Sequence, residues 1–89
     1  MQIQTRNMKA SAEISMYPLD EEYGTPILKF IKRLREHDGL TVQTNNMSTQ
    51  VFGEYDLLMA AIAKEMKQSF VQEKTVVMVM KVVNLDLNG

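Results

Sequence analysis

The chain has 89 residues, of which 45% are hydrophobic and none is cysteine, and its 10 basic and 11 acidic residues give a net charge of −1. This length allows one modest core, so residues 1–89 are predicted to form a single domain. The near-neutral charge argues against nucleic acid or an anionic membrane as a partner, and the absence of cysteine excludes disulfides and thiolate chemistry.

Residues 1–8 are polar and aperiodic, without the apolar core of a signal peptide. No run of the sequence is long enough to cross a bilayer. We therefore expect a cytoplasmic protein with an ordered core over about residues 9–84 and frayed ends.

Residues 10–19 are predicted to form the first strand. Apolar side chains occupy one phase of this stretch, while Glu13, Ser15 and Tyr17 share the other. Pro18 ends the strand because it has no amide hydrogen to donate.

An acidic loop over residues 20–24 leads to the first predicted helix. Thr25 is expected to cap this helix and Pro26 suits its first turn. The helix is predicted to run to about residue 37 and to be closed by Gly39, since glycine adopts the left-handed conformation at no steric cost. Its apolar stripe predicts packing on a sheet and comprises Ile27, Leu28, Ile31 and Leu34, with Phe30 on the flank. The only histidine, His37, is interpreted as a surface residue that complements the helix dipole.

Residues 40–44 and 49–54 are predicted to be strands of a hairpin, because Asn45 and Asn46 favour a turn between them. In the second of these strands, Gln50, Phe52 and Glu54 share one phase. A second helix is predicted over residues 56–71, with Asp56 as its cap.

Residues 74–83 are predicted to form a fourth strand, which is rich in β-branched residues and apolar on both faces. The polar tail over residues 84–89 is expected to fray.

The order strand, helix, strand, strand, helix, strand predicts an α+β, ferredoxin-like βαββαβ fold with the first and third strands central. Its four-stranded antiparallel sheet carries both helices on one face. Because the other face stays bare, the fourth strand predicts self-association.

Polar residues of the first and third strands form a candidate ligand site. A carboxylate can pair with an amidine-like edge, an aromatic ring can stack, and a hydroxyl can orient a flat cationic heteroaromatic. The same residues suit a polar seam between subunits equally well. Residues of the hairpin turn lie at the mouth of this face, where binding residues tend to gather. The candidate residues are Glu13, Ser15, Tyr17, Asn46, Met47, Thr49, Phe52 and Glu54.

The chain resembles the small thiamine-binding proteins of the YkoF-like superfamily over residues 12–83. The resemblance is carried by AEISMYPL at residues 12–19, by Met47-Ser48-Thr49, by the Val51-x-Gly53-Glu54 spacing, and by the Asp-led helix with its LMAAI core. It implies a ferredoxin-like subunit that pairs through its sheets, often as a dimer of dimers. It also implies binding of thiamine or its hydroxymethylpyrimidine moiety without catalysis. Ser48 stands where this family more usually has glycine.

The sequence contains no glycine-rich phosphate loop, nucleophile elbow or metal-ligand cluster, so neither a cofactor, a metal nor an enzymatic activity is expected. Three other classes remain open. An ACT-like regulatory or sensor module for another small ligand would share this fold. A ferredoxin-like dimeric enzyme would need a polar pocket or a histidine in its core. An RNA-binding module would need basic residues around Tyr17 and Phe52, whose surroundings are acidic.

Overall fold

Four strands and two helices alternate along the chain in the predicted βαββαβ order. The computed structural model describes residues 8–20, 22 and 24–88, so the expectation for residues 1–7 lies outside the described residues. The elements are β1 (Lys9–Pro18), α1 (Gly24–Arg35), β2 (Thr41–Thr44), β3 (Thr49–Glu54), α2 (Tyr55–Gln72) and β4 (Val76–Val83).

The strands form one sheet in the order β2-β3-β1-β4, with every neighbouring pair antiparallel. The predicted central position of the first and third strands is therefore confirmed. The register pairs Ser11 with Phe52 on one side and with Val83 on the other. In the same way, Glu13 pairs with Gln50 and Lys81. Directly paired residues share a face of the sheet, so the polar side chains of Glu13, Gln50 and Lys81 lie side by side.

The core lies between the sheet and the two helices. Its strand residues belong to one phase of the sheet, because alternate side chains point to opposite faces. The cluster of buried residues comprises Ala10, Ala12, Ile14, Phe30, Leu34, Val51, Leu58 and Ile62. The opposite phase carries the polar residues of β1 and β3, so the helices cover one face only.

The packed stripe of α1 differs from the predicted one. Phe30 is at the centre of the core with 1% exposure, whereas Leu28 is 68% exposed. Pro26, Phe30 and Leu34 recur every four residues and define the buried stripe, and Leu28 points roughly 200° away from Phe30 around the helix. The chain turns after the helix at Gly39, whose φ of 86° is the left-handed conformation predicted there.

The N-cap of α2 is Glu54, and the expectation that Asp56 caps this helix is wrong. The Glu54 carboxylate accepts hydrogen bonds from the Asp56 amide at 3.0 Å and the Leu57 amide at 3.1 Å. The helix begins at Tyr55, so the extended residue before it is the one that faces the free amides. Asp56 lies in the first turn, where its charge still favours the helix dipole.

An ionic cluster joins α1 to α2. Arg33 Nε donates to Glu65 Oε1 at 2.9 Å, and His37 Nε2 lies 2.7 Å from Glu65 Oε2. Arg33 also donates to Ser69 Oγ at 2.7 Å. His37, which was expected to lie at the surface and complement the helix dipole, therefore pairs with a buried carboxylate. Burial raises the pKa of Glu65, but hydrogen bonds from His37 and Arg33 outweigh it and hold that pKa below its ordinary value.

In the part of the chain that the structure describes, no helix has the length and apolarity needed to span a membrane. The same residues contain no group of three or more His, Asp or Glu side chains able to hold a metal ion.

Candidate functional site

The sheet face opposite the helices, called the open face below, carries a pocket of about 420 Å³. Residues of β1, β3 and β4 that share one phase form this face. They include Ser11, Glu13, Ser15, Tyr17, Gln50, Phe52, Val77, Val79, Lys81 and Val83. The pocket lies at one end of the open face and is lined by Ser11, Ala12, Glu13, Gln50, Phe52, Lys81, Val82, Val83 and Leu87.

Glu13 supplies the carboxylate of this pocket. Its Oε2 accepts a hydrogen bond from Ser48 Oγ at 2.8 Å, and its Oε1 lies 3.6 Å from Lys81 Nζ. Gln50 Nε2 donates to the same Ser48 hydroxyl at 3.2 Å. The Glu13 side chain is nevertheless 41% exposed. A carboxylate has about four lone-pair positions, so Glu13 is oriented by its neighbours and retains capacity to accept from a ligand.

Phe52 provides the aromatic surface of the pocket and is almost fully buried. Ser15 and Tyr17 lie on the same face but outside the pocket, towards its other end. Tyr17 is exposed there beside Val77, its direct partner on β4. The polar phase predicted from the sequence is therefore divided into a pocket end and a more apolar end.

The hairpin-turn residues lie at a different pocket, of about 80 Å³, between the turn and α1. Asn46, Met47 and Thr49 line it together with Ile27 and Ile31. Thr49 is buried in the phase that faces the helices, and Met47 is 87% exposed. The structure therefore separates these three residues from Glu13 and Phe52, which line the open-face pocket.

The turn itself is shaped by Asn45. Its Oδ1 accepts hydrogen bonds from the Met47 amide at 2.8 Å and the Ser48 amide at 2.9 Å. Ser48 lines the turn pocket and donates its hydroxyl to Glu13. Ser48 thus lies in the turn pocket and bonds to the carboxylate of the open-face pocket.

The Glu54 carboxylate, predicted as a ligand contact, is engaged at the start of α2 as described above. Its two oxygens accept from two helix amides, and Glu54 does not line the open-face pocket. Of the two glutamates considered from the sequence, Glu13 is the one that the fold brings to a pocket.

Sequence reasoning did not select several pocket residues. Gln50 and Ser11 each lie two positions from a chosen residue in the same phase, and Lys81 is the only charge within β4. The alternation of side chains along the strands could have identified these three residues as well. Leu87 carried no such signal, because it belongs to a polar tail without periodicity.

The tail over residues 84–88 does not lie free as expected. Ser11 Oγ donates to the Leu85 carbonyl at 2.7 Å and accepts from the Leu87 amide at 2.9 Å. The tail thereby crosses the open face at the pocket end.

Solved structures with this fold come from several organisms. A hypothetical protein from Methanocaldococcus jannascii is 25% identical with a TM-score of 0.77, covering 92% of this chain and 86% of that one. A putative thiamine biosynthesis/salvage protein from Thermotoga maritima is 18% identical with a TM-score of 0.76, covering 91% of this chain and 87% of that one. A domain of unknown function from Bacillus cereus is 18% identical with a TM-score of 0.72, covering 93% and 82%.

A comparison with curated protein sequences finds no match. A family model described as "Thiamine-binding protein" matches residues 12–85. This range includes most of β1, the hairpin, both helices and β4, and it agrees with the resemblance seen in the sequence. The chain therefore belongs to the thiamine-binding protein family.

Proposed function

We propose that the protein binds thiamine, or its hydroxymethylpyrimidine moiety, in the open-face pocket and does not transform it. The observation that carries this proposal is the Glu13 carboxylate, which is oriented by Ser48 yet accessible beside the buried ring of Phe52. Membership of the thiamine-binding family supplies the class of ligand.

The size and chemistry of the pocket suit such a ligand. Its volume of about 420 Å³ lies in the range of about 300–1,000 Å³ for small-molecule sites, whereas the turn pocket of about 80 Å³ lies below it. An aminopyrimidine offers amine donors at its edge and flat apolar faces. Glu13 would accept from the amine, and Phe52 and Val83 would contact the ring. A hydrogen bond to a charged group contributes about 1.5–3 kcal/mol, or roughly tenfold or more in affinity.

Binding without chemistry is supported by the groups at the pocket. Glu13 and Lys81 are the titratable side chains among its described lining residues, and each partly neutralises the other. The Ser11 hydroxyl is engaged by the tail. His37 is engaged with Glu65 between the helices. These interactions favour a site that holds a ligand over one that activates a nucleophile.

Calorimetry with thiamine and with hydroxymethylpyrimidine tests the proposal. We expect Glu13→Gln to weaken binding of both compounds by roughly tenfold with little change in Tm. Glu54→Gln is the matched control, because it removes the same charge from the N-cap of α2. That variant should bind normally and lose about 1 kcal/mol of stability, a fall in Tm of about 4–8 °C.

Two results would count against the proposal. No heat from either compound at millimolar concentration would reject thiamine-type binding altogether. Loss of binding in Met47→Ala, with Glu13→Gln unchanged, would move the site to the turn pocket lined by Asn46, Met47 and Thr49.

The apolar end of the open face supports a second proposal, that the protein self-associates there as a dimer or a dimer of dimers. Tyr17, Val77 and Val79 are each about half exposed on this end, next to Ser15. Ligand pocket and subunit seam, which the sequence left as alternatives, would thus occupy different ends of one face.

A further inference from the structure

The tail after β4 is held on the open face by side chains from two other strands. Ser11 of β1, which is 6% exposed, bonds to both the Leu85 carbonyl and the Leu87 amide. Gln43 of β2 donates to Asn88 Oδ1 at 3.0 Å. The Asn88 amide also donates to Asp86 Oδ1 at 3.0 Å, which closes a local turn. The tail thus runs from one edge strand towards the other across the end of the sheet that carries the pocket.

Leu85 and Leu87 differ in what they line, although their exposures are nearly equal at 58% and 60%. Leu87 lines the pocket and Leu85 does not. A flat ring bound beside Phe52 would cover part of the exposed surface of Leu87. Burial of apolar surface is favourable, so this side chain would contribute to affinity for ligands with an apolar face.

We infer that the tail over residues 84–88 supplies Leu87 as one wall of the open-face pocket, that Ser11 is the positioning residue for this wall, and that Leu87 contributes to the selection of flat ligands. The inference deepens the proposed function and rests on it. Ser11 is suited to this role because one hydroxyl both donates and accepts, which fixes two backbone groups of the tail at once. The pocket is therefore completed by a segment that follows β4 and whose described hydrogen bonds to the sheet come from the side chains of Ser11 and Gln43.

Binding measurements on single variants test the wall, with hydroxymethylpyrimidine and thiamine as the probes. We expect Leu87→Ala to weaken binding about five- to tenfold, because it removes apolar surface that the ligand would cover. Leu85→Ala is the matched control and should change the affinity by less than about twofold. Ser11→Ala should weaken binding about as much as Leu87→Ala. The double variant should be only slightly weaker than either single one, because both changes remove the same wall.

Hydrogen exchange measures the position of the tail without any ligand. The Leu87 amide should be protected in the unmodified protein and should exchange at least tenfold faster in Ser11→Ala, since its acceptor is lost. The amides of β1 and β3 should keep their protection in that variant, which shows that the sheet is intact.

The outcomes separate this inference from the proposed function. Equal effects of Leu87→Ala and Leu85→Ala, or tighter binding in Leu87→Ala, would overturn the role of Leu87. Equal exchange of the Leu87 amide with and without the Ser11 hydroxyl would overturn the wall itself. If the unmodified protein binds neither probe, the proposed function fails, and protection of Leu87 then decides whether the wall exists.

Discussion

Lys81 Nζ lies 3.6 Å from the Glu13 carboxylate, so its positive charge would oppose a cationic ligand bound in the open-face pocket. Thiamine carries a permanent positive charge, whereas its pyrimidine fragment does not. We therefore expect Lys81→Met to strengthen thiamine binding by about two- to fivefold and to leave hydroxymethylpyrimidine binding nearly unchanged. The effect is small because the Lys81 side chain is 82% exposed and its interaction is screened by solvent.

Calorimetry at low and high salt checks this prediction, since added salt should reduce the gain. Lys74→Met is the control, because it changes the net charge equally at a residue that does not line the open-face pocket. An equal gain for both compounds, or for both variants, would contradict repulsion of the cationic ligand by Lys81.

Gly53 explains the spacing Val51-x-Gly53-Glu54 in physical terms. A Cβ at this position would lie 2.7 Å from Leu40 Cδ2 and 3.1 Å from the Gly39 carbonyl oxygen. The leucine can rotate, but the carbonyl belongs to the backbone that joins α1 to β2. The close approach of β3 to this connection therefore requires glycine.

We expect Gly53→Ala to lower the free energy of unfolding by roughly 1–3 kcal/mol through overpacking. Gly24→Ala is the matched control: its Cβ would meet nothing within 4 Å, at the start of α1. Alanine favours helix, so that variant should be as stable as the unmodified protein or more so. Urea unfolding measures both, and an equal response of the two variants would reject the steric explanation.

Glu65 of α2 pairs with Arg33 of α1 and with His37, so the stability of the fold is predicted to depend on pH. Because the pKa of Glu65 is held below its ordinary value of 4.5, its ionised form stabilises the fold at higher pH. This contribution to stability is complete above the pKa that Glu65 has in the unfolded chain. It is lost as the pH falls through the pKa that Glu65 has in the folded protein. We therefore expect stability to decline from about pH 5 downwards through this group.

Urea unfolding at pH 7, 5 and 3 checks the prediction with Glu65→Gln. The variant should be less stable at pH 7 by roughly 1–3 kcal/mol, because Arg33 and His37 lose a charged partner. It should lose less of its remaining stability on acidification than the unmodified protein does. Parallel pH profiles for the two proteins would assign the acid loss to other groups.

Elements were predictable where local pattern and tertiary packing agree. The alternation of β1, the turn at Asn45 and the glycine after α1 each have one dominant local explanation. The cap of α2 was not predictable, because Glu54 and Asp56 are both acidic and the choice depends on where β3 ends. The burial of Phe30 depends on which side of α1 faces the sheet. Because Leu28, on the opposite side, is also apolar, the sequence pattern does not distinguish the two sides.

At the scale of the whole molecule, the apolar end of the open face predicts how charge should affect assembly. We expect Val79→Lys to convert an oligomer into a monomer of 10.2 kDa without unfolding, because Val79 is already 52% exposed. Met80→Lys should unfold the protein instead, since Met80 packs against the core. Val71→Lys, on an exposed part of α2, is the control for added charge.

Light scattering at micromolar concentration, with circular dichroism for folding, distinguishes these outcomes. A monomer mass for the unmodified protein would contradict self-association. Dissociation by Val71→Lys would place the interface on the helices.

From the sequence, the candidate site was predictable only as the set of side chains that share one face of the first and third strands. Glu13 and Phe52 follow from alternation along their strands, and the sheet register confirms that they share a face. The link from Ser48 to Glu13 spans 35 residues and that from Ser11 to Leu85 spans 74, so no local window contains either pair. The sequence analysis placed Asn46, Met47 and Thr49 at the mouth of the same face. In the structure, the alternation of side chains along β3 directs Thr49 to the opposite face.

The path of the tail bears on how the protein should be produced for study. Asn88 contacts Gln43 at the far side of the pocket, so a purification tag fused directly after Asn88 would begin beside that contact. The added residues would disturb the segment that completes the pocket and would crowd its entrance. We expect a protein tagged at this end to bind hydroxymethylpyrimidine more weakly than the same protein after the tag is cleaved. Affinities compared before and after cleavage would reveal the interference.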